Sequence, residues 1–162
     1  MANPRVTIQC ADFDLGAEVA ALRGADTGVG AIAVFVGTVR DRNDGDGVSA
    51  MTLEHYPGMT ERAIEAMCDA AMRRFDVRAV RVVHRIGELK PLDQIVLVAV
   101  TSAHRSAAFQ ACEFLMDYLK TQAPFWKKEQ TPEGARWVDA RVADDEALAR
   151  WDVLVDIGNA VR

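Results

Sequence analysis

The stretch YLKTQAPFWKKE, residues 118–129, joins two kinds of structure and so decides the class of the fold. On its N-terminal side Phe109, Cys112, Leu115, Met116 and Leu119 recur at the spacing of one helix face. The pattern predicts a helix that starts after Thr101-Ser102, runs to about Lys120 and buries all five. Pro124 ends it, because proline has no amide hydrogen to donate and its ring crowds the preceding turn. Beyond the proline, FWKKEQ and RWVDAR flank the turn residues TPEGA, which predicts a hairpin. Period-two alternation puts Phe125, Lys127 and Glu129 on one face and Trp126 with Lys128 on the other.

A helix that feeds directly into a hairpin predicts an α+β or mixed α/β fold, and the rest of the chain agrees. Arg5 to Gln9 reads as a short strand. DFDLGAEVAALRG reads as a short helix with Asp14 as N-cap and Gly24 as its stop. GVGAIAVFVGTVR, residues 28–40, is a β-branched apolar run and predicts a well-buried strand. The turn residues DRNDGDG follow it, and SAMTLEHY resumes as a strand, so these two are expected to pair as a hairpin. In PGMTERAIEAMCDAAMRRF, Ile64, Met67, Cys68, Ala71, Met72 and Phe75 mark a second helix face, with Thr60 as candidate N-cap. VRAVRVVHRIG and QIVLVAV are two more strands joined through a Gly- and Pro-containing turn. The chain of 162 residues is expected to form a single domain, residues 1–162.

Composition narrows the function. A net charge of −5 argues against general nucleic-acid binding, which needs a dominant basic surface, but permits a local basic pocket. No run approaches the roughly 20 apolar residues that span a bilayer, and no charged-then-apolar leader opens the chain, so a cytoplasmic location is expected. Cys10, Cys68 and Cys112 form no C-x-x-C pair, and the latter two fall on predicted helix faces as small hydrophobes. No histidine, cysteine and carboxylate spacing predicts a metal site. The acidic loop fails as a calcium site: counted from Asp41, the sixth and twelfth places hold Asp46 and Thr52 where an EF-hand needs Gly and Glu.

Candidate anion-binding residues lie in three places. In VAVTSAHRSAAF a strand gives way to a helix with His104 and Arg105 in its first turn. Helix N-termini present unpaired N–H groups and partial positive charge, so cations there are compensated by a bound anion or else face solvent. In GTVRDRN, Gly37 permits close backbone approach and Arg40 leaves the strand where it can clamp a phosphate, or equally face water. The opening stretch gathers Lys120, Lys127 and Lys128. A lysine among cations and aromatic rings has its pKa lowered toward nucleophilic or proton-carrying use. That reading needs Lys120 and Lys127 to converge across the Ala123-Pro124 bend; the other reading is an edge strand guarded by lysines. Composition leaves both open. A helix of roughly 25 Å separates Lys120 from His104, so a single small ligand reaches both ends only through the fold or a second subunit.

Taken together, FVGTVRDRN, LEHYPGM, SAHRSAAF and MDYLKTQAPFWKKE resemble the large, catalytic subunits of molybdopterin synthase, and the match runs from about Gly28 to Trp151. The resemblance implies a hammerhead-like mixed α/β domain with an additional antiparallel β portion. It implies an enzyme that converts cyclic pyranopterin monophosphate to molybdopterin by inserting two sulfurs. The sulfur would arrive as the C-terminal thiocarboxylate of a small ubiquitin-like partner subunit, within a heterotetramer built on a homodimer of the large chain. No cofactor is implied, since molybdenum enters after this step. Carried onto this sequence, the resemblance makes Lys120 and Lys127 catalytic. It makes Thr38, Val39, Arg40, His104, Arg105, Lys128 and Glu129 substrate-binding neighbours, with Phe35, Met116 and Arg141 as further pocket residues. Two other readings stand beside it: a non-catalytic module that docks an acidic tail, and an RNA-binding domain using the FWKK aromatics and cations, which the negative net charge weakens.

Overall fold

The computed structural model describes residues 4–43, 46–138, 142–149 and 151. Arg141 lies outside them. The elements are β1 (Val6–Gln9), α1 (Leu15–Arg23), β2 (Ala31–Thr38), β3 (Arg42–Asn43), β4 (Asp46–Gly47), β5 (Ala50–His55) and α2 (Met59–Arg74). They continue with β6 (Ala79–Arg85), β7 (Gly87–Leu89), β8 (Gln94–Ser102), α3 (Arg105–Gln122), β9 (Phe125–Thr131), β10 (Gly134–Val138) and α4 (Val142–Ala149). This is an α+β fold.

The main sheet has the order β1-β6-β8-β2, with β1 and β6 parallel and the other pairs antiparallel. Its centre is β8, whose residues from Val96 to Ser102 are all buried. A strand covered on both faces reads as a continuous apolar run, which is why QIVLVAV carries no polar alternation. Val96, Val98 and Val100 join Ile64, Met67, Ala111, Phe114 and Leu115 in the core under α2 and α3. Leu97 and Ala99 point the other way, onto Phe13, Val83 and Leu22 beside α1. Asp14 caps α1 as its sequence predicts, accepting from the Ala17 N–H at 2.8 Å.

The second sheet, β10-β9-β5-β7, is antiparallel throughout. It contains the expected β9–β10 hairpin, with Lys128 opposite Trp137. It also overturns two expectations. The strand GVGAIAVFVGTVR does not form a hairpin with SAMTLEHY: β2 pairs with β8, and β5 pairs with β7 and β9. The chain crosses between sheets at Val39, whose N–H donates to Asp93 O and whose carbonyl accepts from Leu92 N–H, both at 2.9 Å. The side chain of Val39 then packs with Met51, Leu53 and Leu89 under the second sheet. β9 is also no edge strand, because β5 and β10 flank it on both sides.

The helix faces are narrower than predicted. Phe109 is 66% exposed and Met72 is also exposed, while Phe114 and Tyr118 are buried in place of Phe109. The register is set by the aromatic cluster of Phe75, Phe114 and Trp151, whose ring centroids lie 5.6–5.8 Å apart. Thr60 is not the cap of α2; Gly58 holds that place, and its N–H donates to Glu61. Fully buried Thr60 instead accepts from Tyr56 N–H and donates to Pro124 O, both at 2.9 Å. It thereby ties the bend after α3 to the start of α2.

Gly30 marks the tightest point of the main sheet. A Cβ on this residue would lie 2.2 Å from the Ala103 carbonyl oxygen, a backbone atom with nowhere to go. Gly30→Ala is therefore expected to destabilise the protein by about 2 kcal/mol, the range for overpacking, read as a shift in the urea midpoint. A wild-type midpoint would refute the close approach.

Candidate active site

One cavity of about 310 Å³ opens between the main sheet and the C-terminal half of α3. The end of β2 supplies Phe35, Gly37 and Thr38, with Arg40 just beyond; β8 supplies Ile95 and Val96; α3 supplies Met116, Leu119 and Lys120. The wall at β2 depends on an irregularity. The β2–β8 register shifts between Gly37 and Thr38, so Gly37 faces Val96 and Thr38 faces Gln94. A Cβ on Gly37 would sit 3.0 Å from Val96 Cγ1 and 3.3 Å from Phe35 Cε1, so glycine lets the ring lie against the strand. Phe35 remains 39% exposed at the mouth.

Lys120 stands in the last turn of α3, where a cation complements the partial negative charge of the helix end. Two residues after α3 the bend is held firmly: besides the Thr60 bond to Pro124 O, the Phe125 N–H donates to Ala123 O at 2.9 Å. Phe125 then stacks on His84, with ring centroids 3.9 Å apart and planes 18° from parallel. His84 completes the cavity wall from the end of β6. Its Nδ1 lies 2.8 Å from the Arg85 carbonyl oxygen, which only accepts, so Nδ1 carries the hydrogen and Nε2 is the acceptor.

The environment keeps His84 neutral. Burial is the largest cause, the Arg85 carbonyl opposes it, electrostatic interaction with Lys120 and His55 adds to it, and the pKa falls to about 4. The sign of the pH effect follows. In the unfolded chain the histidine titrates near its usual value of about 6.5, so below that pH the unfolded state binds a proton the native state refuses. The stabilisation is complete above about 6.5 and is lost as pH falls toward 4, amounting to about 2 kcal/mol between pH 7 and 5. His84→Phe keeps the ring stack and is expected to flatten that part of the stability–pH curve, as denaturant titrations at several pH values would show. An unchanged slope in the variant would count against a neutral imidazole on the cavity wall.

The cavity gathers five of the residues named from sequence: Phe35, Thr38, Arg40, Met116 and Lys120. Others lie elsewhere. Lys127 does not line it and pairs with buried Glu129, Nζ to Oε1 at 3.5 Å. Glu129 also accepts from Asn43 Nδ2 at 2.7 Å and lies 3.4 Å from an Arg136 guanidinium nitrogen. Lys128 turns to the opposite face and lies over the Trp137 ring, 5.6 Å from its centroid. The side chain of Val39 belongs to the core of the second sheet. His104 and Arg105 are exposed at the far end of α3, about 22 Å of helix rise from Lys120.

His84 was missed by the sequence reading. The available signal was a lone histidine ending an apolar strand run, AVRVVHR, and nothing in that pattern separates a pocket wall from a core residue.

An α+β chain with a cationic pocket between its main sheet and α3 has clear relatives. The MoaE protein family matches residues 8–122. The molybdopterin synthase catalytic subunit of Ralstonia nicotianae is 64% identical over 157 residues, covering 97% of this chain and 89% of that one. The solved structure of the molybdopterin biosynthesis MoaE protein from Burkholderia ambifaria is 61% identical with a TM-score of 0.79, covering 91% of this chain and 97% of that one. A more distant solved structure, the complex of subunits 1 and 2 of molybdopterin-converting factor from Helicobacter pylori, has a TM-score of 0.70 at 20% identity. It covers 85% of this chain and 92% of that one, and at this distance shows the fold alone.

The chain belongs to the MoaE protein family. It is an enzyme of molybdenum cofactor biosynthesis.

Proposed function

We propose that this chain inserts two sulfurs into cyclic pyranopterin monophosphate to form the dithiolene of molybdopterin. The sulfur is delivered as the thiocarboxylate at the C-terminus of a small ubiquitin-like partner. The observation that carries the reading is the shared cavity of Lys120 and Arg40. Both cations stand exposed at the cavity beside apolar walls from Phe35, Ile95, Val96, Met116 and Leu119, which suits an anionic tail that enters from solvent. A charge-assisted contact there to a thiocarboxylate or a phosphate is stronger than one between neutral groups.

Lys120 and Arg40 hold the tail and the substrate, Lys127 assists from β9 with Glu129 as its ion-pair partner, and Lys128 contributes from the opposite face of the strand. His104, Arg105 and Arg141 bind the substrate phosphate in a pocket completed by a second copy of the chain. Two features support that arrangement. The far end of α3 cannot reach the Lys120 cavity of its own subunit, and exposed Phe109 shares a helix face with Arg105, four residues earlier. A small partner subunit is supported by the Helicobacter pylori structure, a two-subunit complex of the same fold.

Reconstitution tests the reading. Purified chain, thiocarboxylated small subunit and cyclic pyranopterin monophosphate are combined, and mass spectrometry follows the pterin. Gain of two sulfurs is the expected result. Tight partner binding with no sulfur gained would reduce the chain to a docking module.

A further inference from the structure

His84 is a half-buried titratable group on the cavity wall that the proposed function leaves without a task. It lines the same cavity as Lys120 and Arg40. Phe125 stacks on its face and the Arg85 carbonyl fixes its tautomer, so the ring cannot turn freely. Among the described residues no side chain or backbone group hydrogen-bonds to Nε2. The charged and titratable groups around it are Lys120 from α3, His55 from β5, which pairs with Glu61 at 3.2 Å, and Arg40 beyond β2. Arg40 and a charged Lys120 have hydrogen-bond donors only. His84 Nε2 is thus a nitrogen acceptor on the cavity wall that can take a proton without first losing one.

A base is needed there if sulfur comes from a thiocarboxylate, and the inference rests on that reading. Once the sulfur has bonded to a substrate carbon, the partner's terminal acyl carbon remains joined to it as a thioester. Water must add to that acyl carbon. The C–S bond then breaks with its electron pair on sulfur, leaving a thiolate on the substrate and a carboxylic acid on the partner. The acid ionises to carboxylate, so one water is consumed and two protons are released, with no change of oxidation state. We propose that His84 Nε2 accepts the first of these protons, from the water that cuts the partner's tail away from the sulfur it has delivered. The resulting imidazolium passes the proton to the thiolate or to solvent and returns to its neutral form.

The test uses the reconstituted system with His84→Asn and His84→Phe. Asparagine keeps an N–H near the Nδ1 position for the Arg85 carbonyl and removes the acceptor; phenylalanine keeps the stack on Phe125. For both, kcat is expected to fall by about 100-fold, the scale of general-base catalysis, with KM within about threefold of wild type. The decisive readout is covalent: mass spectrometry should find partner subunit accumulating as an adduct carrying the mass of the sulfurated pterin. Wild type should show free carboxylate tails instead. A kcat for His84→Asn within about threefold of wild type would overturn the assignment, as would a lowered kcat with no adduct. Loss of fold in both variants would also overturn it, making the ring a structural support only. If wild type itself transfers no sulfur, the sulfur-transfer reading falls first; competent wild type with an unaffected variant removes the role of His84 alone.

Discussion

Replacing Lys120 by alanine should lower kcat for sulfur insertion by about 100- to 1,000-fold while the variant still folds and still binds the small subunit. The fold is spared because Lys120 sits in the last turn of α3, where its favourable interaction with the helix end is worth only about 0.5 kcal/mol. Binding is largely spared because a subunit interface draws its energy from a wide surface, of which one tail contact is a small part. The reaction is not spared. Lys120 and Arg40 are the lysine and the arginine that line the cavity, and in the proposed reaction they stabilise the charge that shifts from sulfur to leaving groups. Lys120→Arg keeps the charge with a different reach and should recover only part of the rate. Single-turnover assays with pre-formed complex measure this directly. A rate for Lys120→Ala near wild type would move the chemistry out of this cavity.

Glu129→Ala should destabilise the protein by about 3 kcal/mol, the lower end for breaking a buried ion pair by removing one partner. Its carboxylate is only 3% exposed and is shared by Asn43, Lys127 and Arg136. These come from three strands, β3, β9 and β10, so one side chain organises the outer half of the second sheet. Lys127 and Arg136 can turn to water when it is lost, which keeps the cost from rising further. Glu129→Gln keeps an acceptor for Asn43 and should fall between the two. Chemical denaturation measures both, and a loss below about 1 kcal/mol in the alanine variant would show that the cluster is surface-like in energy. Because Lys127 leans on Glu129, a role for Lys127 in turnover should appear as a correlated loss of rate in Glu129→Ala.

Much of this molecule was readable from local pattern. The buried run of β8, the α1 cap at Asp14, the end of α3 near Pro124 and the β9–β10 hairpin each follow from residues within one element. The pairing of β2 and β5 was not readable, because both strands choose partners far along the chain. β2 takes β8 and β5 takes β9, and the crossover at Val39 rests on backbone bonds to Leu92 and Asp93 that no residue type announces. The same limit applies to the site. Motif residues Arg40, Thr38 and Lys120 do meet, whereas Lys127 follows Glu129 along its own strand face, as period-two alternation already required. His84 joins the cavity only because β6 lies beside β8, a neighbour relation that its own sequence does not contain.

The buried cysteines have one more consequence. Burial raises the Cys68 thiol to about 12 and the Cys112 thiol to about 11, so neither forms appreciable thiolate at neutral pH. Cys10 is exposed but is not among the residues that line the cavity. In the proposed reaction the activated sulfur thus meets no thiol among the described residues that line the cavity. Alkylating reagents should leave turnover intact, and the sulfur in the product should trace isotopically to the small subunit, never to this chain. Under the proposed function the catalyst is a bystander to its own element, and vulnerability to oxidants passes to the proposed sulfur carrier.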